Sequence, residues 1–293
     1  MIGRMTVEVA LPASATLGEG PTWDARTSTL IWVDILESAV HRWDPAAGTD
    51  VVIDTGQHVG AAKPREGGGL VINLRDGVAL TERDGADGQR RWLVYWARDG
   101  VRGNDAAVDP AGRLWAGTMR YDEGARGGWL ARVAADGAAT VVVDEVSISN
   151  GLGWSPDGTR MYYVDTPTGR VDVFDYDVDG GAATNRRPLC TVDDTGGWPD
   201  GLCVDADGCV WVALWDGGEI RRYTPAGALD RRLPVPVARP TACCFGGAGL
   251  ADLYISTARV GLSDAALAGQ PLAGSLLVVP DAGHGLPGTV FAG

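Results

Sequence analysis

The chain has 293 residues with 38 acidic against 25 basic side chains, a formal charge of −13; that surplus excludes a nucleic-acid partner, which needs clustered Lys and Arg. No apolar run approaches the roughly 18 residues of a membrane span, and the first twenty residues lack a basic start followed by an apolar stretch, so a cytoplasmic protein with no membrane partner is expected. Five cysteines, an odd set, fit reduced thiols, and the scattered 43 glycines and 16 prolines read as turn punctuation in an all-β fold.

Taken in chain order, one pattern recurs. Glu19 leads a short apolar strand, a polar turn and a second strand rich in aromatic and β-branched residues that ends at Asp34. Ala39 to Trp43 supplies a further strand. The stretch from Gly60 through Ile72 keeps the length and the glycine turn but has no polar leader. Asn104 through Gly117, Asn150 through Asp165 and Asp200 through Ala213 repeat the full pattern, which is that of a β-hairpin. Trp129 to Val133 and Val171 to Tyr176 read as outer strands. Pro240 through Ile255 keeps the hairpin with a longer turn, and Leu262 to Gly269 has room for one short turn of helix.

The leading positions fall at 19, 60, 104, 150, 200 and about 241, a spacing of 40 to 50 residues that accommodates four short strands per unit. Six units account for nearly the whole chain. The sequence therefore predicts a six-bladed β-propeller with a central metal site, a single domain over 1–293. Two sandwiches would give no reason for so regular a period.

In a propeller, equivalent positions of successive blades ring the central axis. The position just before each inner strand holds Glu19, Gly60, Asn104, Asn150, Asp200 and Thr241. Five of these six carry side-chain oxygen, two are carboxylates and none is basic. Each alone reads first as a turn former. Together, carboxylate and amide oxygens on one ring are the donors a hard divalent cation takes.

The motifs Leu17-Gly-Glu-Gly-Pro21, Val33-Asp-Ile35, Arg102-Gly-Asn-Asp105, Asp109-Pro-Ala-Gly-Arg113, Gly117-Thr-Met119, Ser149 through Gly158, Pro199-Asp-Gly-Leu202 and Cys243-Cys-Phe-Gly-Gly247 span the chain. With them it resembles the gluconolactonase, senescence-marker-protein and regucalcin family of sugar lactonases. The resemblance implies one divalent metal ion, whether calcium, zinc, manganese or ferrous iron, held by Glu19, Asn150 and Asp200. It implies Asp200 as general base, Arg102 on the oxygens of a small-molecule sugar lactone, and Asn104 at the metal or the substrate. Tyr121 stands where a family acid often follows the Gly-Thr-Met segment, with Asp122 and Glu123 beside it, and is taken as substrate-binding.

The expected reaction is lactone hydrolysis. Negative charge develops on the ring carbonyl oxygen, where a cation stabilises the transition state more than the ground state, and Asp200 activates the attacking water. A metal-dependent organophosphate or aryl-ester hydrolase and a non-catalytic calcium-binding propeller are the alternatives. Other patterns are set aside. Asp175 through Gly180 begins like a calcium loop but has Arg186 at its twelfth position, and His41, His58 and His284 lie outside the ring. Cys243 and Cys244 alternate across a strand and read as packing, while Trp198 and Trp215 are candidates for stacking on a sugar ring.

Overall fold

The structure, a computed structural model, describes residues 5–82, 90–192 and 196–293. Six four-stranded sheets follow one another along the chain. Their innermost strands are Gly18–Asp24, Val59–Pro64, Val101–Val108, Ser149–Trp154, Trp198–Val204 and Pro240–Gly246. Each inner strand packs against those of both neighbouring blades, and the sixth packs against the first. That closed ring is the predicted six-bladed β-propeller. Among the described residues, no helix is long and apolar enough to cross a membrane.

The repeated turn residues have a repeated job. Asp109 Oδ1 accepts the backbone N–H groups of Ala111 and Arg113 at 2.9 and 3.0 Å, and its Oδ2 accepts Trp115 Nε1 at 3.1 Å. Asp205 does the same for Asp207, Cys209 and Trp211 two blades later, at 3.0, 2.8 and 2.8 Å. An Asp at this place closes the hairpin and anchors the buried tryptophan of the next strand, so the core is tied to the turn. The Asp175 through Gly180 segment is a hairpin turn as expected, with Asp177 accepting the N–H groups of Asp179 and Gly180.

Two features lie outside the repeat. The strand Glu8–Leu11 pairs with Leu276–Val279 and forms the outer strand of the sixth blade, so the first and last parts of the chain close the circle. Closure removes the free edges an open ring would present. The C-terminal segment crosses the end of the propeller that carries the hairpin turns. Ala206 N donates to His284 O at 2.8 Å, Phe291 N to Pro64 O at 2.9 Å and Ala292 N to Gly112 O at 3.0 Å. The Phe291 ring is fully buried among Ala61, Val71, Leu80 and Leu114, between the second and third blades. The predicted helical turn is the short helix Asp264–Ala268, capped by Ser263.

The ring residues are not ahead of the inner strands, as the sequence had suggested, but inside them. Every inner strand breaks register with its partner at this level, between Glu19 and Thr22, Val59 and Ala61, Gly103 and Ala106, Asn150 and Leu152, Pro199 and Leu202, and Pro240 and Ala242. A β-bulge bends a strand and re-aims its side chains. All six breaks fall at the level of the ring residues.

Candidate functional site

A cavity of about 700 Å³ opens at the bulged ends of the inner strands. Glu19, Asn150 and Asp200 line it, and so do Arg102, Asn104 and Tyr121, so all six residues singled out from the sequence meet on one cavity. Trp198 and Trp215 line it as well.

The other two ring members do not. Gly60 has no side chain because there is no room for one: a Cβ would collide with the backbone of Asn104. Thr241 corrects the count of ring oxygens. Its hydroxyl turns into the blade, 2.6 Å from Gly18 O and 2.7 Å from Ser256 Oγ. β-Branching and a backbone acceptor within reach explain why that oxygen serves the sheet instead of the channel.

A chain of hydrogen bonds orients the amides. Thr166 Oγ1 donates to Pro199 O at 2.9 Å, and must therefore accept from Asn150 Nδ2 at 2.8 Å. That fixes Asn150 Oδ1 as an acceptor, and it takes Asn104 Nδ2 at 2.8 Å. The second Asn104 N–H goes to Ser149 O at 2.8 Å, and Asn104 Oδ1 accepts Arg102 Nη1 at 2.6 Å. Every polar atom of Asn104 thus has a protein partner, and its side chain holds Arg102 and Asn150 in place. Arg102 is buried, with Nη1 also on Gly103 O, while its Nε and Nη2 have no protein acceptor among the described residues.

The carboxylates are poorly solvated. Burial, then the charge of Asp105, pushes Glu19 up to about 8, with its Oε2 accepting only Gly20 N at 3.1 Å. Burial, then Glu19, then Asp105, pushes Asp200 well above the usual carboxylate range. Asp200 Oδ1 is buried without any hydrogen-bond partner. An orphaned carboxylate oxygen beside a second desolvated carboxylate and an amide oxygen with a spare lone pair fits a hard cation's donor set. Among the described residues, no three His, Cys, Asp or Glu side chains converge to hold a metal by themselves. The amide of Asn150 is therefore an integral part of any such set.

Two residues at the site escaped the sequence reading. Asp105 acts on the charges of both Glu19 and Asp200. Strand alternation would turn it away from Asn104, but the bulge between Gly103 and Ala106 cancels the alternation. Lys63 is buried below Glu19, and its proton is loosened by burial and strengthened first by Asp105. The signal for it was available, since it is the only lysine in the chain.

At the rim, Tyr121 is 43% exposed and its hydroxyl is 2.9 Å from His58 Nδ1. Glu123, held at a left-handed φ of 56°, also lines the cavity, whereas Asp122 turns outward to Arg120 at 2.7 Å. One face of Trp215 is covered by the Arg239 guanidinium, 4.7 Å from the ring centroid, which Asp216 holds at 2.6 Å. All five cysteines are free, and Cys203 and Cys243 stand 3.6 Å apart, sulfur to sulfur, across the fifth and sixth blades.

Comparison with known proteins shows the family. The family described as SMP-30/Gluconolactonase/LRE-like region matches residues 17–259. Regucalcin of Danio rerio is 35% identical over the whole of both chains. The 6-deoxy-6-sulfogluconolactonase of Pseudomonas putida is 35% identical over 98% of this chain and 99% of its own. The crystal structure of a calcium-binding protein, regucalcin, from Agrobacterium tumefaciens superimposes with a TM-score of 0.93 at 29% identity, covering 98% of this chain and 97% of that one. The chain therefore belongs to the SMP-30/gluconolactonase/LRE-like family of sugar lactonases.

Proposed function

We propose that this protein hydrolyses a small sugar lactone to the corresponding sugar acid, using one divalent cation held by Glu19, Asn150 and Asp200. The observation that carries the reading is the orphaned, buried Oδ1 of Asp200 in a cavity that also contains unpaired Arg102 donors. The cavity volume suits a ligand the size of a six-carbon lactone. When bound, the cation supplies electrophilic pull on the lactone carbonyl oxygen and favours ionised water.

The chain's own groups do the rest. Asp200 takes a proton from the attacking water, as the carboxylate with an oxygen left free of any protein partner. The free Nε and Nη2 of Arg102 donate to lactone hydroxyls and then to the carboxylate formed as the ring opens. Asn104 keeps that guanidinium aimed. Tyr121, braced by His58, and Trp198 form the wall against the sugar ring. The names of the relatives, a sulfogluconolactonase and a calcium-binding protein among them, support both the lactone and the cation.

The test is a screen of aldonolactones, with phosphotriester and aryl-ester substrates alongside, combined with metal analysis of the purified protein. Chelator-sensitive lactone turnover with a slower or absent response to the other esters is expected. Bound calcium without turnover of any ester would replace the enzyme by a binding protein.

A further inference from the structure

Asn73 lies on the second strand of the second blade, Leu70–Leu74, and is buried. It does not line the cavity, yet both hydrogens of its amide leave its own blade. Nδ2 donates to Asn104 O and to Gly117 O of the third blade, each at 2.9 Å.

These two carbonyls share a cause. Val101–Val108 pairs with Leu114–Arg120 as Gly103 with Thr118 and next as Ala106 with Ala116, so Asn104, Asp105 and Gly117 fall in the break of register. A bulge disrupts the ladder locally, and a buried carbonyl left there without a donor is destabilising. One amide from the neighbouring blade answers both. Gly103 gives it passage, since a Cβ there would lie 2.9 Å from Asn73 Oδ1 and 2.6 Å from Leu74 O. The amide can point only one way, because Nδ2 faces two acceptors while Oδ1 has no partner. Aspartate, of the same shape, would set oxygen against two carbonyl oxygens, and leucine would offer no donor.

The consequence reaches the cavity. Asn104 is held through its backbone by Asn73, and its side chain then reaches Arg102 Nη1 at 2.6 Å and Asn150 Oδ1 at 2.8 Å. We propose that Asn73 is a positioning residue for the lactone site: from the second blade it fixes the bulge that carries Asn104, and through Asn104 it aims Arg102. The bulge clamp stands on the geometry alone, whereas its effect on a lactone rests on the function proposed above.

The experiment is a double-mutant cycle in which steady-state kinetics on the best lactone are measured for the parent, Asn73→Leu, Asn104→Ala and the double variant. KM of Asn73→Leu is expected to rise about ten- to hundredfold, the scale of a misplaced binding group, with kcat changed less. In the Asn104→Ala background the same change should move KM by no more than about twofold, because the link it acts through is already gone. Equal rises in the two backgrounds, or an unchanged KM in Asn73→Leu, overturn the proposal. Asn73→Ser, small enough for water to enter the vacated space, repeats the cycle if leucine prevents folding. If neither variant melts cooperatively, Asn73 serves the fold as a whole and the proposal falls. A parent that turns over no lactone would defeat the proposed function instead, and NMR of the chain with heavy-nitrogen-labelled arginine then decides. The Arg102 Nε–H signal, assigned through Arg102→Lys, is expected to move in Asn73→Leu; an unmoved signal overturns the positioning role.

Discussion

Asn104 Nδ2 donates to Asn150 Oδ1 at 2.8 Å across the boundary between the third and fourth blades. That one contact links the group that aims Arg102 to a group proposed to hold the ion, so a change at Asn104 reaches both. For Asn104→Ala we expect KM for the lactone to rise about ten- to hundredfold, the scale of a lost hydrogen bond to a charged group. Steady-state kinetics on the best lactone substrate measures this; an unchanged KM and an unchanged metal affinity would remove Asn104 from the site.

Asp200→Asn keeps the size of the side chain but removes the proton acceptor. Turnover is expected to fall about a hundred- to ten-thousandfold, the usual span for a general base. The same change relieves the repulsion on Glu19, so the metal-free variant should melt no lower than the parent. Turnover within a few-fold of the parent in a metal-loaded variant would refute the assignment.

Stability without metal should depend on pH in a defined direction. The Glu19 carboxyl lies at about 8 in the folded chain against an ordinary 4.5, so the folded state keeps a proton that the unfolded state releases. This contribution is complete below about 4.5 and is lost as pH rises through 8; Asp200 acts in the same direction. In chelator, Tm should therefore fall between pH 5 and 9, and saturating calcium or Glu19→Gln should flatten the slope. A chelated parent whose Tm is level or climbs over that range contradicts the buried, protonated pair.

Phe291 tests the C-terminal segment. Its ring fills the space between the second and third blades, and Phe291→Ala should cost about 3–5 kcal/mol of stability, as large-to-small core changes do. Urea denaturation reads the loss. Because the segment lies at the opposite end of the channel from the cavity, metal affinity in the folded variant should be unchanged. A stability loss below about 1 kcal/mol would mean that the ring does not belong to the core.

The recurring hairpins at 40 to 50 residue spacing made the six blades legible, because hairpins and their turns are local chemistry. The shared leading position then named Glu19, Asn104, Asn150 and Asp200, since blade symmetry converts sequence equivalence into spatial nearness. Gly60 was legible as a position without a polar side chain, but its cause was not, and neither was the inward turn of Thr241. One is dictated by the approach of the Asn104 backbone and the other by a hydroxyl that finds Gly18 O, and both are contacts between blades.

Sequence by itself therefore determined the repeat, the strand chemistry and the set of oxygen-bearing residues from which a cation site is proposed. Tertiary structure alone decided which of those oxygens reach the cavity, that the charges of Asp105 and Lys63 act on Glu19, and that Glu8–Leu11 closes the ring. The physical reason is the same in each case. Steric collisions and buried charges depend on what the neighbouring blade places opposite a residue, and that neighbour lies 40 or more positions away along the chain.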